Sequence, residues 1–459
     1  MTTVEEVPMT LTVGSQSAES LDDEVLAGLP EAGGEVEQPG AFTFDVAIVG
    51  LGYVGLPTAL SFSAAGLRVL GLETSTARVS AVHEERVDLS QSDRERLAEA
   101  LKRDSFMLTC DTGLLAEAAS VIVCVPTPVD DYLTPDLSNL RAACHTVVEH
   151  AVPGQVLLLT STTYVGSTRD MLVKPLASRG LIAGRDVYVV FSPERINPGN
   201  DRHAHEDVPR VVGGVTAECT AQGVRALSGY ARSLHTVSSA EAAEMTKLLE
   251  NTFRAVNIAM INEFADASRV LDLDVMEVIE AASTKPFGFM AFTPGPGVGG
   301  HCIPCDPHYL LWQLRKERLS TPVISGAMDG IAARPRRVVD RAREVLSAEG
   351  LALAGARVLV LGVAYKPNVE DIRESPALEI AEGLLAAGAT VVYHDPLIMS
   401  ITLPDGHELN SLADASLFDA DLVIVHTLHR VMDRSWIETA RRILDTTYSL
   451  KSLPQVAFL

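Results

Sequence analysis

The densest set of reactive side chains in the sequence is the run Gly299-Gly300-His301-Cys302-Ile303-Pro304-Cys305-Asp306. Paired glycines allow a backbone to approach a ligand closely. A thiol followed by a helical turn is expected to have its pKa lowered by the amide dipoles, which would make Cys302 a nucleophile. A small structural cysteine is the plainer alternative. Cys302-x-x-Cys305 also matches a thioredoxin-like redox pair or half of a zinc site. Zinc wants a second Cys or His pair at matching spacing, and only His301 and His308 lie nearby. A redox pair would open a helix after a strand, not sit in a Gly/Pro-rich loop. No metal is expected.

A second chemical signal is Gly50-Leu51-Gly52-Tyr53-Val54-Gly55, which follows an apolar run and is followed in turn by Glu73 at the end of the next one. In such a turn the first glycine permits the tight bend, the second lets a pyrophosphate reach the backbone, and the third lets helix and strand pack closely. A carboxylate at Glu73 accepts hydrogen bonds from both ribose hydroxyls and repels a 2′-phosphate, which favours NAD over NADP. Arg78, close in sequence, works against that preference. Lys247 and Asn251 stand four apart and share a helix face, either as a solvated stripe or as paired donors. Glu194, in Ser192-Pro193-Glu194-Arg195, sits at a strand end, the usual place for a functional carboxylate in an α/β sheet. Lys366 and Arg373, just beyond another strand, form either a solvated loop or an anion site.

These residues need rigid elements behind them. Short β-branched runs at Asp45–Val49, Arg68–Leu72, Ser120–Val125, Gln155–Thr160 and Val187–Phe191 alternate with amphipathic stretches, the pattern of βαβ units and a parallel sheet. Ser238 to about Leu271 runs without Gly or Pro, with a Ser238-x-x-Glu241 capping box, and predicts one long helix. Asp274 with Glu277 repeats the capping signal, and Arg334-Pro335 breaks a later helical stretch. A second α/β pattern begins near Arg357, with strands at Val358–Leu361, Val391–Tyr393 and Leu422–Val425. The expected fold is α/β: two Rossmann-like doubly wound parallel-sheet domains joined by a central helical domain with a long helix. The expected boundaries are an acidic disordered tail at 1–40, a dinucleotide domain at 41–236, the helical domain at 237–334 and the second α/β domain at 335–459.

Bulk properties agree with a multidomain enzyme. The formal charge of −23 repels nucleic acid and anionic membrane surfaces, and no basic run overrides it. Residues 1–40 hold nine acidic side chains and no Lys or Arg. Six scattered cysteines do not resemble a secreted disulfide scaffold, and the N-terminus lacks the order of a secretory signal, so the cytoplasm is expected. No apolar run reaches the length of a membrane span.

Seven motifs, in order, resemble the UDP-glucose/GDP-mannose dehydrogenase family from about Phe44 to near the C-terminus. They are GLGYVGLP at 50–57, VPTP at 125–128, STTYVGST at 161–168, FSPER at 191–195, KLLENTFRAVNIA at 247–259, GPGVGGHCIPCDP at 295–307 and GVAYKPNVEDIRESP at 362–376. The resemblance implies oxidation of a nucleotide-sugar C6 alcohol to the carboxylate with reduction of two NAD. Cys302 would carry the sugar as thiohemiacetal and thioester, with Lys247, Asn251 and Asp306 around it and Glu194 and Thr162 near C6. NAD would meet Gly50, Gly52, Tyr53, Val54, Gly55, Glu73, Arg78, Pro126, Thr127 and Thr162. The UDP-sugar would meet Glu194, Arg195, Lys247, Asn251, Arg254, Phe287, Gly295, Gly299, Lys366 and Arg373, with 287–297 as a lid.

The GPGVGGHCIP loop, TKPFGF at 284–289 and the NTFRAVNIA helix are more similar to the branch acting on UDP-N-acetylhexosamines, with UDP-N-acetylglucosamine expected first and the manno epimer next. UDP-glucose is the alternative sugar. Ile196-Asn197, where that branch often carries an acid, and Cys305 depart from the family pattern. A single-step β-hydroxyacid-type dehydrogenase and an inactive nucleotide-sugar-binding scaffold are the rival functions. A homodimer or larger assembly through the central helices, and a role in supplying polysaccharide or glycoconjugate synthesis, are also implied.

Overall fold

The structure, a computed structural model, describes residues 42–195, 205–300, 302–450 and 455–459. The expected tail at 1–40, Ile196-Asn197 and His301 lie outside the described residues.

Eight strands form the first sheet: β1 Phe44–Val49, β2 Val69–Leu72, β3 Phe106–Thr109, β4 Ala118–Val123, β5 Val156–Leu159, β6 Tyr188–Phe191, β7 Arg210–Gly214 and β8 Leu234–Thr236. Their order is β3-β2-β1-β4-β5-β6-β7-β8. The strand alternation explains why both faces are covered. Ala47 and Val49 of β1 enter one apolar cluster and Val46 and Ile48 enter another, each side chain buried. Helices α1 Gly55–Ala64, α2 Thr76–His83, α3 Gln91–Ala100, α4 Ser138–His150, α5 Lys174–Ser178 and α6 Ala217–Ser228 fill the connections. The chain reverses its order between β1 and β4, which opens a ligand crevice beyond their carboxyl ends.

The sheet is parallel through six strands, but β7 pairs antiparallel with β6, and β8 follows β7. This departs from the fully parallel expectation. A parallel return needs a crossover helix, and between Phe191 and Arg210 the only helix among the described residues is a single turn at His205–Asp207.

From β8 the chain enters α7, Ala240–Val270, a 31-residue helix. Its cap is Ser239, whose hydroxyl accepts from the Ala242 amide at 3.2 Å, rather than Ser238 as the capping box predicts. Ser239 has the extended backbone a cap requires, one residue further along. Then come α8 Val275–Ser283, capped by Asp274 as expected, α9 Asp306–Lys316, α10 Pro322–Ala332 and α11 Arg334–Ala348. The break between α10 and α11 falls at Ala333, one residue before the expected Arg334-Pro335 step, because Arg334 already opens α11 and the proline sits in its first turn.

The second sheet is wholly parallel: β9 Arg357–Leu361, β10 Thr390–His394, β13 Leu422–Val425, β14 Ile443–Asp445 and β15 Val456–Phe458, in the order β10-β9-β13-β14-β15. A hairpin of β11 Ser400–Thr402 and β12 Glu408–Asn410 forms a separate two-stranded sheet beside β10, and α12 Pro376–Ala386 packs on α11. Val358 and Val360 enter one core and Leu359 and Leu361 another, so this sheet too is buried on both faces. Burying each such side chain contributes roughly 1.5–3 kcal/mol, which holds the strand ends, and the loops beyond them, in place. No helix among the described residues is long and apolar enough to cross a membrane.

Candidate active site

The dinucleotide turn has three glycines in three different situations. Gly50 adopts φ +93°, and a Cβ there would lie 2.6 Å from the Cys124 carbonyl oxygen. A Cβ on Gly55 would lie 1.8 Å from the Gly50 carbonyl oxygen. A Cβ on Gly52 would meet nothing within 4 Å. The first and third are therefore demanded by the turn and by helix–strand packing, whereas Gly52 faces open space where a pyrophosphate would come close. Helix α1 begins at Gly55 with no side-chain cap, leaving its first amides for an anion. Glu73 accepts from the Leu51 amide at 3.0 Å, and Arg78 Nε donates to the Leu51 carbonyl at 3.0 Å. The acid thus stands beside the turn as a ribose ligand must. These residues fit NAD. On the neighbouring edge, Ser161 joins the Val125 amide and carbonyl, and the Tyr309 hydroxyl donates to the Thr127 carbonyl at 3.2 Å. That fixes the loop carrying Pro126 and Thr127.

Cys302 is exposed, while Asp306, at the first turn of α9, is buried. Asn251 and Thr162 hydrogen-bond the Asp306 carboxylate. Burial pushes that carboxyl up to about 6, with Lys247 and the two hydrogen bonds pulling the other way. Lys247 and Asn251 therefore face the loop rather than solvent; both are buried, and the solvated-stripe alternative does not hold. Lys247 Nζ also donates to the Glu194 carbonyl at 2.7 Å.

The expected lowering of the Cys302 pKa is corrected by this environment. The residue is exposed, but burial of its thiol in the crevice pushes the pKa above the ordinary value, and the Asp306 carboxylate adds to the rise. Lys247, Arg373 and Arg254 only partly offset these effects. Helix α9 starts four residues beyond Cys302, with Cys305 at the N-cap position making no side-chain cap, too far along to dominate the thiol. Cys305 itself is buried, and burial pushes its thiol up to about 12. Among the described residues no group of three or more His, Cys, Asp or Glu side chains could hold a metal ion.

Glu194 is anchored rather than loose. Its carboxylate takes the Arg195 amide at 2.8 Å and Arg210 Nη1 at 2.7 Å. Burial pushes the carboxyl up, but Arg210, the Arg195 amide and Lys247 more than offset it, so it lies below its usual range. Arg195 turns away to pair with Glu250.

The second sheet supplies the opposite wall. A Cβ on Gly299 would lie 2.6 Å from Tyr365 Cβ, and one on Gly300 would lie 2.9 Å from the Tyr365 ring. The Gly300 amide donates to the Arg373 carbonyl at 2.9 Å. The glycines before Cys302 thus serve the contact between the cysteine loop and the 363–376 loop. The Arg373 guanidinium pairs with Asp371 and stacks 4.0 Å over the Tyr53 ring, so it touches the dinucleotide turn as well. Burial, and then Arg254, lowers the Lys366 pKa. Gly295 is held between Asn262 Oδ1 at 2.9 Å and Arg334 Nε at 3.0 Å, and Phe287 is exposed.

Sequence reasoning missed three supports. Arg210 binds Glu194 from β7. Buried Glu244 of α7 accepts from the Gly166 and Thr168 amides and from the Ser167 and Thr168 hydroxyls, tying the 161–168 motif to α7. Arg334 bonds Asp266 and Gly295 from the first residue of α11. Glu244 sits three residues before Lys247 on the helix face that reads as apolar, the one hint that was available.

Residues 44–230 match the NAD binding domain of the UDP-glucose/GDP-mannose dehydrogenase family, 241–330 its central domain and 359–451 its UDP binding domain. Protein CapL of Staphylococcus aureus is 35% identical over 355 residues, 76% of this chain and 82% of that one. The UDP-N-acetyl-D-glucosamine 6-dehydrogenase of Pseudomonas aeruginosa is 31% identical, covering 87% of this chain and 93% of its own. The solved UDP-D-ManNAc dehydrogenase of Pyrococcus horikoshii superposes with a TM-score of 0.81 at 30% identity, over 90% of this chain and 98% of that one.

Proposed function

The chain belongs to the UDP-glucose/GDP-mannose dehydrogenase family and is an NAD-dependent UDP-sugar 6-dehydrogenase, and on that premise we propose a UDP-N-acetylhexosamine as substrate and Cys302 as covalent carrier of C6. The observation that supports this most is the convergence of an exposed cysteine, Cys302, with Lys247, Asn251 and Asp306 at the meeting of three elements: α7, the cysteine loop and the 363–376 loop. Relatives named for both the gluco and the manno N-acetyl sugars support the substrate class.

Gly52 and the amides of α1 would hold the pyrophosphate of NAD and Glu73 its ribose, and the cofactor would supply the hydride acceptor for both oxidations at C6. The thiol is held above its usual pKa, so it needs a base; Asp306, with a pKa of about 6, is ionised at neutral pH and serves as that base. The Cys302 sulfur adds to the C6 aldehyde, and the oxygen that gains the electron pair is met by the Lys247 ammonium and the Asn251 amide. After the second oxidation, water adds to the thioester carbon, the C–S bond breaks and the thiol recovers its proton. Asp306, having passed the thiol proton and the C6 hydroxyl proton in turn to solvent, takes one proton of that water and returns it to the leaving sulfur, while Glu194, held ionised by Arg210, orients the water and the carboxyl product gives up its last proton to solvent. Lys366 meets the substrate diphosphate, and Arg373 works at the seam between cofactor and sugar nucleotide.

The test is a panel of UDP- and GDP-sugars with NAD, following NADH and analysing products. The reading expects two NADH per uronate from a UDP-N-acetylhexosamine and no uronate from Cys302→Ser. Uronate formation at the normal rate by that variant sinks the covalent step. A preference for UDP-glucose sinks the substrate.

Met245, Leu249, Phe253, Met260 and Phe264 are exposed along one stripe of α7, which supports an interface between two copies of this chain there. With six free thiols and NAD as acceptor, the cytoplasm is the working compartment.

A further inference from the structure

The two sheets repeat one local construction with a single decisive change. Gly362 follows β9 at φ +79° as Gly50 follows β1 at φ +93°. A Cβ on Gly362 would lie 1.9 Å from the Thr427 carbonyl oxygen, much as one on Gly50 meets that of Cys124. The Gly362 amide donates to the His394 carbonyl at 2.8 Å, and the Gly50 amide to the Leu72 carbonyl at 2.8 Å. The acid after the second strand takes the next amide in both: Glu73 from Leu51 at 3.0 Å, Asp395 from Val363 at 2.8 Å.

The fates of the two acids differ. Glu73 is half-buried and keeps a face toward solvent. Asp395 and His429 are both wholly buried. One Asp395 oxygen accepts from Val363 N, Ala364 N and His429 Nε2, and the other from Leu397 N and Ile398 N. No lone pair is left for a ribose. Burial pushes this carboxyl up, but His429 and the amides more than offset it. His429 passes the contact onward: its Nδ1 accepts from the Asn368 amide at 2.9 Å, so the ring proton is on Nε2 and is donated to Asp395 at 3.0 Å. Asn368 stands at φ +63°, and its side-chain oxygen takes the Arg430 amide at 2.8 Å. Thr427 closes the other side by donating to the Ala364 carbonyl at 2.7 Å.

This chain ends two residues from Lys366. We infer that Asp395, His429 and Asn368 are positioning residues for the substrate diphosphate: the acid that serves a ribose in the first sheet is consumed in the second to fix the 364–368 loop and hold Lys366 in the crevice. The inference rests on the reading that Lys366 meets the diphosphate. It also means that the second α/β unit takes no dinucleotide on Asp395.

The experiment is a double-mutant cycle on the full-length enzyme. Substrate KM, the inhibition constant of UDP, NAD KM and thermal midpoint are measured for Lys366→Ala, His429→Phe and the pair. His429→Phe is expected to raise substrate KM and the UDP inhibition constant by roughly tenfold, with kcat and NAD KM within about twofold. Lys366→Ala should then cost much less in the His429→Phe background than in wild type. Should His429→Phe not accumulate as folded protein, Asn368→Gly replaces it, since glycine adopts the positive φ and only the Arg430 tie is lost; about a threefold rise in substrate KM is expected there. Unchanged substrate KM in the folded variant, or the same penalty for Lys366→Ala in both backgrounds, overturns the inference. If Lys366→Ala alone leaves both constants unchanged, it is the diphosphate reading of Lys366 that fails.

Discussion

Replacing Asp306 by Asn should slow the enzyme and stabilise it at the same time. The buried carboxyl has a pKa of about 6, against 3.8 for a free aspartate. A raised pKa of about two units means that ionising the folded protein costs on the order of 3 kcal/mol more than ionising the unfolded chain. Because the folded pKa is the higher one, this stability is fully present below about pH 4, declines as pH rises through 6, and is lost above it. Asparagine keeps the shape and hydrogen-bonding capacity toward Asn251 and Thr162 without the charge. Asp306→Asn should therefore melt a few degrees above wild type at pH 8 and level with it near pH 4. Its kcat/KM should fall by roughly 10²–10⁴, and the loss of wild-type activity below about pH 6 should vanish from its pH profile. NADH absorbance across pH 5–9 and differential scanning fluorimetry at the two pH values measure both. An Asn variant that retains the acid limb near pH 6, or is less stable at pH 8, refutes the assignment of Asp306 as a strained buried base.

Other outcomes follow from the same geometry. Gly52→Ala should fold normally, because its Cβ meets nothing within 4 Å, yet raise NAD KM by roughly tenfold or more; Gly50→Ala, at φ +93°, should fail to accumulate as folded protein, and soluble yield with NAD titration separates the two. Cys302 should react with iodoacetamide more slowly at pH 7 than a free cysteine, since its thiol is raised, and Asp306→Asn should accelerate that reaction by removing the neighbouring carboxylate. Leu249→Glu, placed in the middle of the exposed α7 stripe, should halve the mass seen by light scattering if two copies meet there. Glu73→Ser should narrow the preference for NAD over NADP in the ratio of kcat/KM values, aided by Arg78 beside the same turn.

Much of the site was legible because its signals are local. The Gly50–Gly55 turn requires particular residues through backbone geometry within six positions, and the strand and acid around it lie within one βαβ unit. Asp274 and the Arg334-Pro335 step mark helix ends by chemistry confined to a single turn. The long helix was equally plain, though its cap moved by one residue because Ser238 and Ser239 are chemically alike and only backbone direction separates them. The short strands β3, β7 and β8 and the antiparallel turn to β7 were not legible, since three to five residues carry too little periodicity and strand direction depends on how the connection crosses the sheet.

Thus the sequence by itself determined the element types, the dinucleotide turn, the cysteine loop and the family, all of which depend on residues close together in the chain. Tertiary structure alone decided the electrostatics. Burial raises the Asp306 carboxyl to about 6, the Cys302 thiol is raised rather than lowered, and Glu194 is pinned by Arg210, because each depends on burial and on charges brought from distant segments. It also decided that two similar acids, Glu73 and Asp395, have different surroundings, one half-buried beside the dinucleotide turn and the other wholly buried and bonded to His429. A pKa and a hydrogen-bond partner are properties of surroundings, and surroundings exist only once the chain has folded.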